Sequence, residues 1–259
     1  MYFIDSHAHL YLEAFHQDLE SVIQEAIRAN VTKFVMPNID LNSIEGMMQI
    51  QHTYPLNCFP TLGLHPCDVK SDYIKILHEF ENTLNKYSIY GIGETGTDAF
   101  WDTTYWQQQI DAFTTQIQWA KQLNKPIIIH SRESLHENIS LISKLQDGTL
   151  RGVFHCFGGT LDQANAIISS GFYLGIGGTI TYKKNTLKEV ISQIGLNHVL
   201  LETDSPFLSP EPHRGKRNVP AHIPIVAEFI SRVLDCSIET VATQTTQNAE
   251  KLFGLQTTF

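Results

Sequence analysis

The sequence predicts a single α/β domain folded as a closed (β/α)8 barrel. Short apolar, β-branched runs recur eight times along the 259 residues. Segments with apolar residues at helical spacing lie between them. The runs are almost continuously apolar, which a parallel sheet covered on both faces demands. No glycine fingerprint follows the first run, as dinucleotide binding on an open doubly wound sheet would require, and that alternative would use fewer strands. A chain of this length accommodates eight strand–helix pairs as a closed barrel.

The first strand is read at Tyr2–Ser6. The helix Asp18–Ala29 follows, with Leu19, Val22, Ile23, Ala26 and Ile27 on one face. Strand two, Lys33–Pro37, leads to a helix at Ser43–His52, and strand three, Cys58–Leu62, to one at Tyr73–Lys86. Strand four is read as Tyr90–Glu94 and precedes the long helix Thr104–Leu123. Ile127–His130 pairs with Leu135–Leu145, Gly152–His155 with Leu161–Ser169, and Tyr173–Ile176 with Leu187–Ile194. Val199–Glu202 is the eighth strand, and two helices, Pro220–Leu234 and Ile238–Phe253, close the chain. Between them, Ser205–Asn218 is the longest irregular segment, rich in Pro, Arg and Gly, where a barrel enzyme keeps a substrate loop. No linker, repeat or low-complexity stretch divides the chain, so residues 1–259 are read as one domain.

Composition narrows the function classes. The chain is 42% hydrophobic and 17% charged, so it is not read as disordered. A formal net charge of -9 argues against a basic coat protein for nucleic acid. It leaves room for an enzyme acting on nucleic acid, because bound divalent cations and a few arginines can reverse the field at one cleft. Cys58, Cys67, Cys156 and Cys236 form no Cys-x-x-Cys pair. Reduced thiols in a cytoplasmic protein are the simplest expectation. No secretory signal is expected at the N-terminus, and no apolar run approaches the roughly 20 residues of a membrane helix.

The chemistry gathers where strands end. His7 and His9 stand two residues apart and so project to one side of an extended chain. Glu94, His130, His155 and Asp204 each lie at or just past a later apolar run. In a barrel these positions converge on the mouth formed by the strand C-termini. Imidazole and carboxylate donors together suit Zn²⁺, Mn²⁺ or Mg²⁺. Four imidazoles and two carboxylates exceed one tetrahedral ion and suit two ions about 3.5–4 Å apart, with Glu94 as the bridge. Such ions activate water for attack on phosphorus or carbon. Asp204 is placed to bind metal and to take the proton from that water. His16, His52, His78, His136 and His198 fall on helices or loops and are read as surface residues, while His213 and His222 lie near the Pro-rich segment.

Motifs along the whole chain bear on this reading. They are Asp5-Ser6-His7-Ala8-His9, Gly63-Leu64-His65-Pro66, Gly91-Ile92-Gly93-Glu94-Thr95-Gly96-Thr97-Asp98, and Pro126-Ile127-Ile128-Ile129-His130-Ser131-Arg132. His155-Cys156-Phe157-Gly158-Gly159, Leu201-Glu202-Thr203-Asp204-Ser205-Pro206, and Pro212-His213-Arg214-Gly215-Lys216-Arg217-Asn218 follow. In order and spacing the set resembles the TatD family of metal-dependent nucleases, within the amidohydrolase-like barrels. The resemblance implies one to three divalent metals and a DNase activity, often 3′→5′ exonucleolytic; the leading expectation is cleavage of DNA from single-stranded ends. It places metal ligands on His7, His9, Glu94, His130, His155 and Asp204, the six reached from spacing. It places Arg132 where a guanidinium can grip phosphate oxygens in a bidentate fork. His65 is read as a donor to phosphate. Glu202 is read as orienting a ligand or a water, or as the partner of Arg132 or Arg214. Arg214 and Lys216 are read as contacts to a nucleic-acid backbone. Departures from the family pattern fall at Thr97 and Ala99, where bulkier apolar and aromatic residues are usual and which Phe100 and Trp101 follow directly, and at Ser134 and His136, where Ala or Thr and an acidic residue are commoner.

The competing readings are a small-molecule hydrolase of esters, lactones or amides, and a non-catalytic binding barrel. Glu94 stands where the former often carries a carboxylated lysine, and the intact donor set argues against the latter. No membrane contact and no obligate protein partner are expected.

Overall fold

Eight parallel strands alternate with helices around one ring, and the computed structural model describes residues 1–255. The strands are β1 (Phe3–Asp5), β2 (Val31–Pro37), β3 (Cys58–Thr61), β4 (Ile92–Asp98), β5 (Ile127–Arg132), β6 (Gly152–Phe154), β7 (Tyr173–Ile176) and β8 (Val199–Leu201). The helices are α1 (Leu19–Arg28), α2 (Ser43–Thr53), α3 (Tyr73–Leu84), α4 (Trp106–Gln122), α5 (Leu135–Leu145), α6 (Leu161–Ser169), α7 (Leu187–Ile194), α8 (Ile223–Val233) and α9 (Ile238–Phe253). Strand order follows chain order from β1 to β3 and from β4 to β8. Single parallel bridges carry the ring across the two seams, Leu62 with Ile92 and Ala8 with Ser205. At the second seam the Ser6 N–H donates to Leu201 O at 2.9 Å and the Asp204 N–H to His7 O at 2.9 Å. The fold is the (β/α)8 barrel expected from the sequence.

A buried carboxyl ties that second seam. Asp5 is fully buried. It accepts from the backbone N–H groups of His7 at 3.2 Å and Thr203 at 3.0 Å, and from the Thr203 hydroxyl at 2.5 Å. Strands of three residues leave few ladder bonds where the ring closes. Side-chain bonds to otherwise orphaned amides make up part of the deficit.

The fourth strand differs from its expected span. It begins at Ile92 and runs four residues past Glu94, because Gly93 and Gly96 allow it to continue. Their φ angles are 139° and 131°. A Cβ on Gly96 would lie 2.2 Å from His130 O, and one on Gly93 would lie 2.8 Å from Ile128 O. Only glycine lets β4 come this close to β5 with that backbone. The register slips between Ile92 and Thr95, and Glu94 sits on the slip.

Alternation along the strands divides the core in two. Ile4, Val35, Phe59, Ile128, Val153, Tyr173 and Leu200 form one buried cluster with Ala249, Leu252 and Phe253 of α9 and with Leu255. Their neighbours Phe3, Phe34, Met36, Cys58, Ile127, Ile129, Phe154, Leu174, Val199 and Leu201 belong to the larger cluster packed under the helices. The first set fills the barrel, and α9 stops its lower end. Asn248 on α9 fixes the plug by donating to Leu196 O at 2.8 Å and Val199 O at 2.9 Å. Among the described residues, no helix is long and apolar enough to cross a membrane.

Candidate metal centre

The two-residue period that lays an apolar floor also raises a polar layer above it. His130 stands two residues beyond Ile128, His155 two beyond Val153, and Glu202 two beyond Leu200. Successive like-facing positions of a strand lie one above the other. The centre is therefore buried beneath the mouth and seated on packed hydrocarbon. Four of the six expected donors sit outside the strands proper. His7 and His9 follow β1, His155 follows β6, and Asp204 lies three residues past β8 with φ 56°. His130 lies inside β5 and Glu94 inside β4, so the expectation that every donor closes a strand holds only loosely.

All six come together around Glu94. Its Oε2 lies 3.1 Å from His7 Nε2 and 3.5 Å from His9 Nε2. Its Oε1 lies 2.8 Å from His155 Nε2 and 2.9 Å from His130 Nδ1. Asp204 Oδ1 stands 3.4 Å from His9 Nε2 and 3.7 Å from His7 Nε2. The two oxygens of one carboxylate thus face two different sets of imidazoles.

The donor set fits divalent metal. His7 Nε2 faces His9 Nε2 at 3.1 Å as well as Glu94, in a fully buried spot. A neutral imidazole offers one proton in total, so these atoms cannot all be satisfied by hydrogen bonds among themselves, whereas a cation would take every lone pair. His7, His9 and Glu94 form one group with ligand atoms close enough for an ion, and His7, His155 and Asp204 form another.

Electrostatics agree. Burial opposes ionisation of Glu94, but the imidazoles of His155 and His7 outweigh it and hold the carboxyl well below the usual range. Burial likewise opposes ionisation of Asp204, and His9 and His7 overcome it. Burial alone would make His155 a weaker base, yet Glu94 and Glu202 pull it well above the ordinary imidazole value. Burial, with neighbouring imidazoles, makes His7 and His65 weaker bases, so the carboxylates draw positive charge chiefly toward His155.

Outer partners fix which nitrogen is free. The Tyr11 hydroxyl donates to Pro37 O at 2.6 Å, so its oxygen can accept from His9 Nδ1 at 2.9 Å and leave Nε2 as a lone pair. Asp98 Oδ2 lies 2.9 Å from His130 Nε2, which turns the Nδ1 lone pair toward Glu94. Asp98 Oδ1 accepts from the Phe100 and Trp101 amides at 2.9 and 3.0 Å. Burial opposes its ionisation, but the His130 hydrogen bond and these amides hold its carboxyl below the usual range. Glu202 Oε1 lies 3.5 Å from His155 Nδ1 and accepts from the Cys156 N–H at 2.6 Å. Among the four ligand-positioned histidines, the second nitrogens of His7 and His155 are buried without a hydrogen-bond partner, and that of His155 faces Glu202 Oε1 at 3.5 Å.

The sequence of this chain matches the TatD related DNase family model over residues 4–254. The chain belongs to the TatD family. It is 35% identical to the uncharacterized metal-dependent hydrolase YabD of Bacillus subtilis, over 97% of this chain and 98% of that protein. It is 32% identical to Danio rerio tatdn3, named provisionally as a deoxyribonuclease, over 97% of each chain. The crystal structure of the TatD homologue YjjV from Escherichia coli superposes with a TM-score of 0.92 at 27% identity, covering 98% of both chains. Relatives of this chain are thus named as metal-dependent hydrolases, and its buried centre has the donors such a hydrolase needs.

The substrate-binding residues expected for this TatD protein separate on the structure. A cleft of about 710 Å³ opens over Glu94, and His65, Arg132, Trp101 and Phe207 line it. His65 Nε2 lies 3.5 Å from Glu94 Oε1, and its Nδ1 accepts from the Cys67 N–H at 3.1 Å. Its Nε2 therefore faces Glu94 and, at 3.3 Å, His130 Nδ1, at the edge of the cleft. Arg132 is exposed, with its guanidinium carbon 3.8 Å from the centre of the Phe100 ring. Among the described residues no carboxylate pairs with it. Glu202 meets neither Arg132 nor Arg214: it is buried beside His155, in space that Gly175 leaves open, where a Cβ would lie 2.1 Å from Glu202 Oε2. Arg214 is not among the cleft residues and stacks 4.3 Å over Tyr182 instead, because the Pro-rich segment carries it outward. The His213 and His222 rings stack on each other at 4.4 Å, and neither lines the cleft.

Sequence reading gave Asp98 and Tyr11 no role. Asp98 closes the motif that begins at Gly91, and its signal was available: a metal-facing histidine needs an outer acceptor, and Asp98 is a carboxylate on the neighbouring strand.

Proposed function

We propose that this chain is a divalent-metal-dependent phosphodiesterase that cleaves DNA, with a 3′→5′ exonuclease acting from single-stranded ends as its mode. The observation that carries the reading is the division of Glu94, with His7 and His9 at one oxygen and His130 and His155 at the other. Such a carboxylate suits a pair of ions drawn from Zn²⁺, Mn²⁺ and Mg²⁺. Divalent ions supply Lewis acidity to water and to the phosphoryl oxygens when bound.

The residues of the chain do the rest. Asp204, ionised and at the edge of the His7–His9 set, takes the proton of the attacking water. Arg132 offers its unpaired fork to the phosphate oxygens. His65 Nε2–H donates to a phosphate or leaving oxygen. Burial of the centre excludes bulk water and strengthens each of these interactions. Four free cysteines suit a reducing, cytoplasmic setting.

The test is end-labelled single-stranded DNA with protein stripped and reloaded with Mg²⁺, Mn²⁺ or Zn²⁺, alongside Glu94→Ala. A metal-dependent ladder of shortened products, absent in the variant, supports the reading, and the labelled end gives the polarity. Faster turnover of esters, lactones or amides than of DNA by the loaded protein overturns it in favour of a small-molecule hydrolase.

A further inference from the structure

Large hydrophobic side chains are exposed at the cleft in an uneven way. Trp101 is 67% exposed, Phe100 46%, Phe207 52% and Leu208 39%. Of the four exposed aromatic residues among the described ones, which also include Tyr87, three belong to two short segments at the mouth. Phe100 and Trp101 follow β4, while Phe207 and Leu208 follow β8. The strand ring places β4 and β8 four strands apart, on opposite sides of the barrel. Trp101 and Phe207 nevertheless line the same cleft, with the Glu94 cluster between them.

Each wall is anchored through its backbone amides. The Phe100 and Trp101 amides are clamped by Asp98, and their rings meet edge to face with centres 4.9 Å apart. Arg132 lies over Phe100 at 3.8 Å and beside Trp101 at 5.0 Å. A cation held on a ring face keeps its donors free for an anion. On the other side, the Phe207 N–H donates to Asp204 O at 2.8 Å, and the Phe207 ring stands 6.3 Å from that of His9. Exposed aromatic faces beside a centre proposed to take phosphate are the pattern of a stacking platform for unpaired bases.

We propose that Trp101 and Phe207 are two base-stacking walls that hold the nucleobases on either side of the scissile phosphate. The proposal rests on the phosphodiesterase reading above and specifies its substrate. Bases within a duplex are already stacked and paired, so only an unpaired end presents two free faces. Arg132 links one wall to the phosphate, because it touches the aromatic pair and keeps its hydrogen-bonding fork open.

The test uses metal-loaded protein and single-stranded oligonucleotides with an abasic residue on one side or the other of the cleaved bond. With wild-type protein, loss of either base raises KM about tenfold, the size of one lost base–aromatic stack, and leaves kcat nearly unchanged. Trp101→Ala raises KM about tenfold on the intact strand and makes one abasic position silent. Phe207→Ala does the same for the other position. Trp101→Phe and Phe207→Tyr restore KM to within about twofold, which separates stacking from a folding defect. As a readout independent of turnover, an oligonucleotide quenches tryptophan emission in Glu94→Ala protein but not when Trp101→Phe is added. If wild-type protein cleaves single strands but intact and abasic substrates have equal KM, or both alanine variants keep the wild-type KM, the walls are wrong and the nuclease reading stands. If no nucleic acid is cleaved with any metal, both fall together.

Discussion

The carboxylate of Asp98 grips His130 on the side of the ring opposite Glu94, at 2.9 Å from Nε2, and holds the Phe100–Trp101 segment with its second oxygen. One side chain therefore sets both a ligand's orientation and the position of the cleft rim. Asp98→Ala should lower metal affinity and kcat/KM by about 10–100-fold, as loss of an outer partner does. Competition with a chromogenic chelator measures the first, and initial rates the second. Unchanged metal affinity would show that Asp98 does not orient His130.

Metal should also be visible in stability. The centre brings four imidazoles and two carboxylates together below the mouth, and an ion binding only the folded state stabilises it by mass action. At about 100 times its Kd, metal adds about 2.7 kcal/mol, or about 5–10 °C in Tm for a chain of this size. Thermal scans before and after chelation should show that shift in wild-type protein and lose it in Glu94→Ala.

Asp5 offers a purely structural test. Asp5→Ala leaves two buried N–H groups and a hydroxyl without their acceptor at the β1–β8 seam. A cost of about 3 kcal/mol is expected from stranded polar groups. Asp5→Asn keeps an oxygen for both amides and should recover most of it. Urea midpoints of the two variants distinguish a seam tie from a merely tolerated polar residue.

A pH effect should come from outside the metal centre. Burial, with His213 stacked beside it, holds the His222 imidazole down to about 4 from an ordinary value of 6.5. The unfolded chain binds this proton at higher pH than the folded chain does. The contribution is complete above about pH 6.5 and is lost as pH falls toward 4. His222→Gln, which keeps a polar group near Asn218, should flatten the fall in urea midpoint between pH 7 and pH 5. An identical slope in both proteins would rule the effect out.

Much of this was legible because strands and ligands obey one periodicity. His130 and His155 could be placed from Ile128 and Val153 by counting two residues, without knowledge of any partner. β4 resisted that treatment, since its continuation depends on two glycines at positive φ and on the proximity of β5, neither of which is local. Glu202 was read either as orienting a ligand or a water, or as pairing with an arginine; it lies beside the ligand-positioned His155 and meets neither arginine, because the gap beside Gly175 that receives it exists only once β7 lies against β8. Arg214 was drawn toward the site by its charge. Its actual stacking on Tyr182 depends on the path of the Pro-rich segment, which no pattern in the sequence reports.

The plug formed by α9 has a consequence for traffic. With Leu252 and Phe253 packed against Ile4, Val35 and Leu200, the barrel is a socket with a shut bottom and one doorway. A polymer cannot be reeled through it. Under the proposed activity, a strand enters by its tip or lies across the opening, and a cleaved piece backs out past Trp101 and Phe207 before the next is admitted.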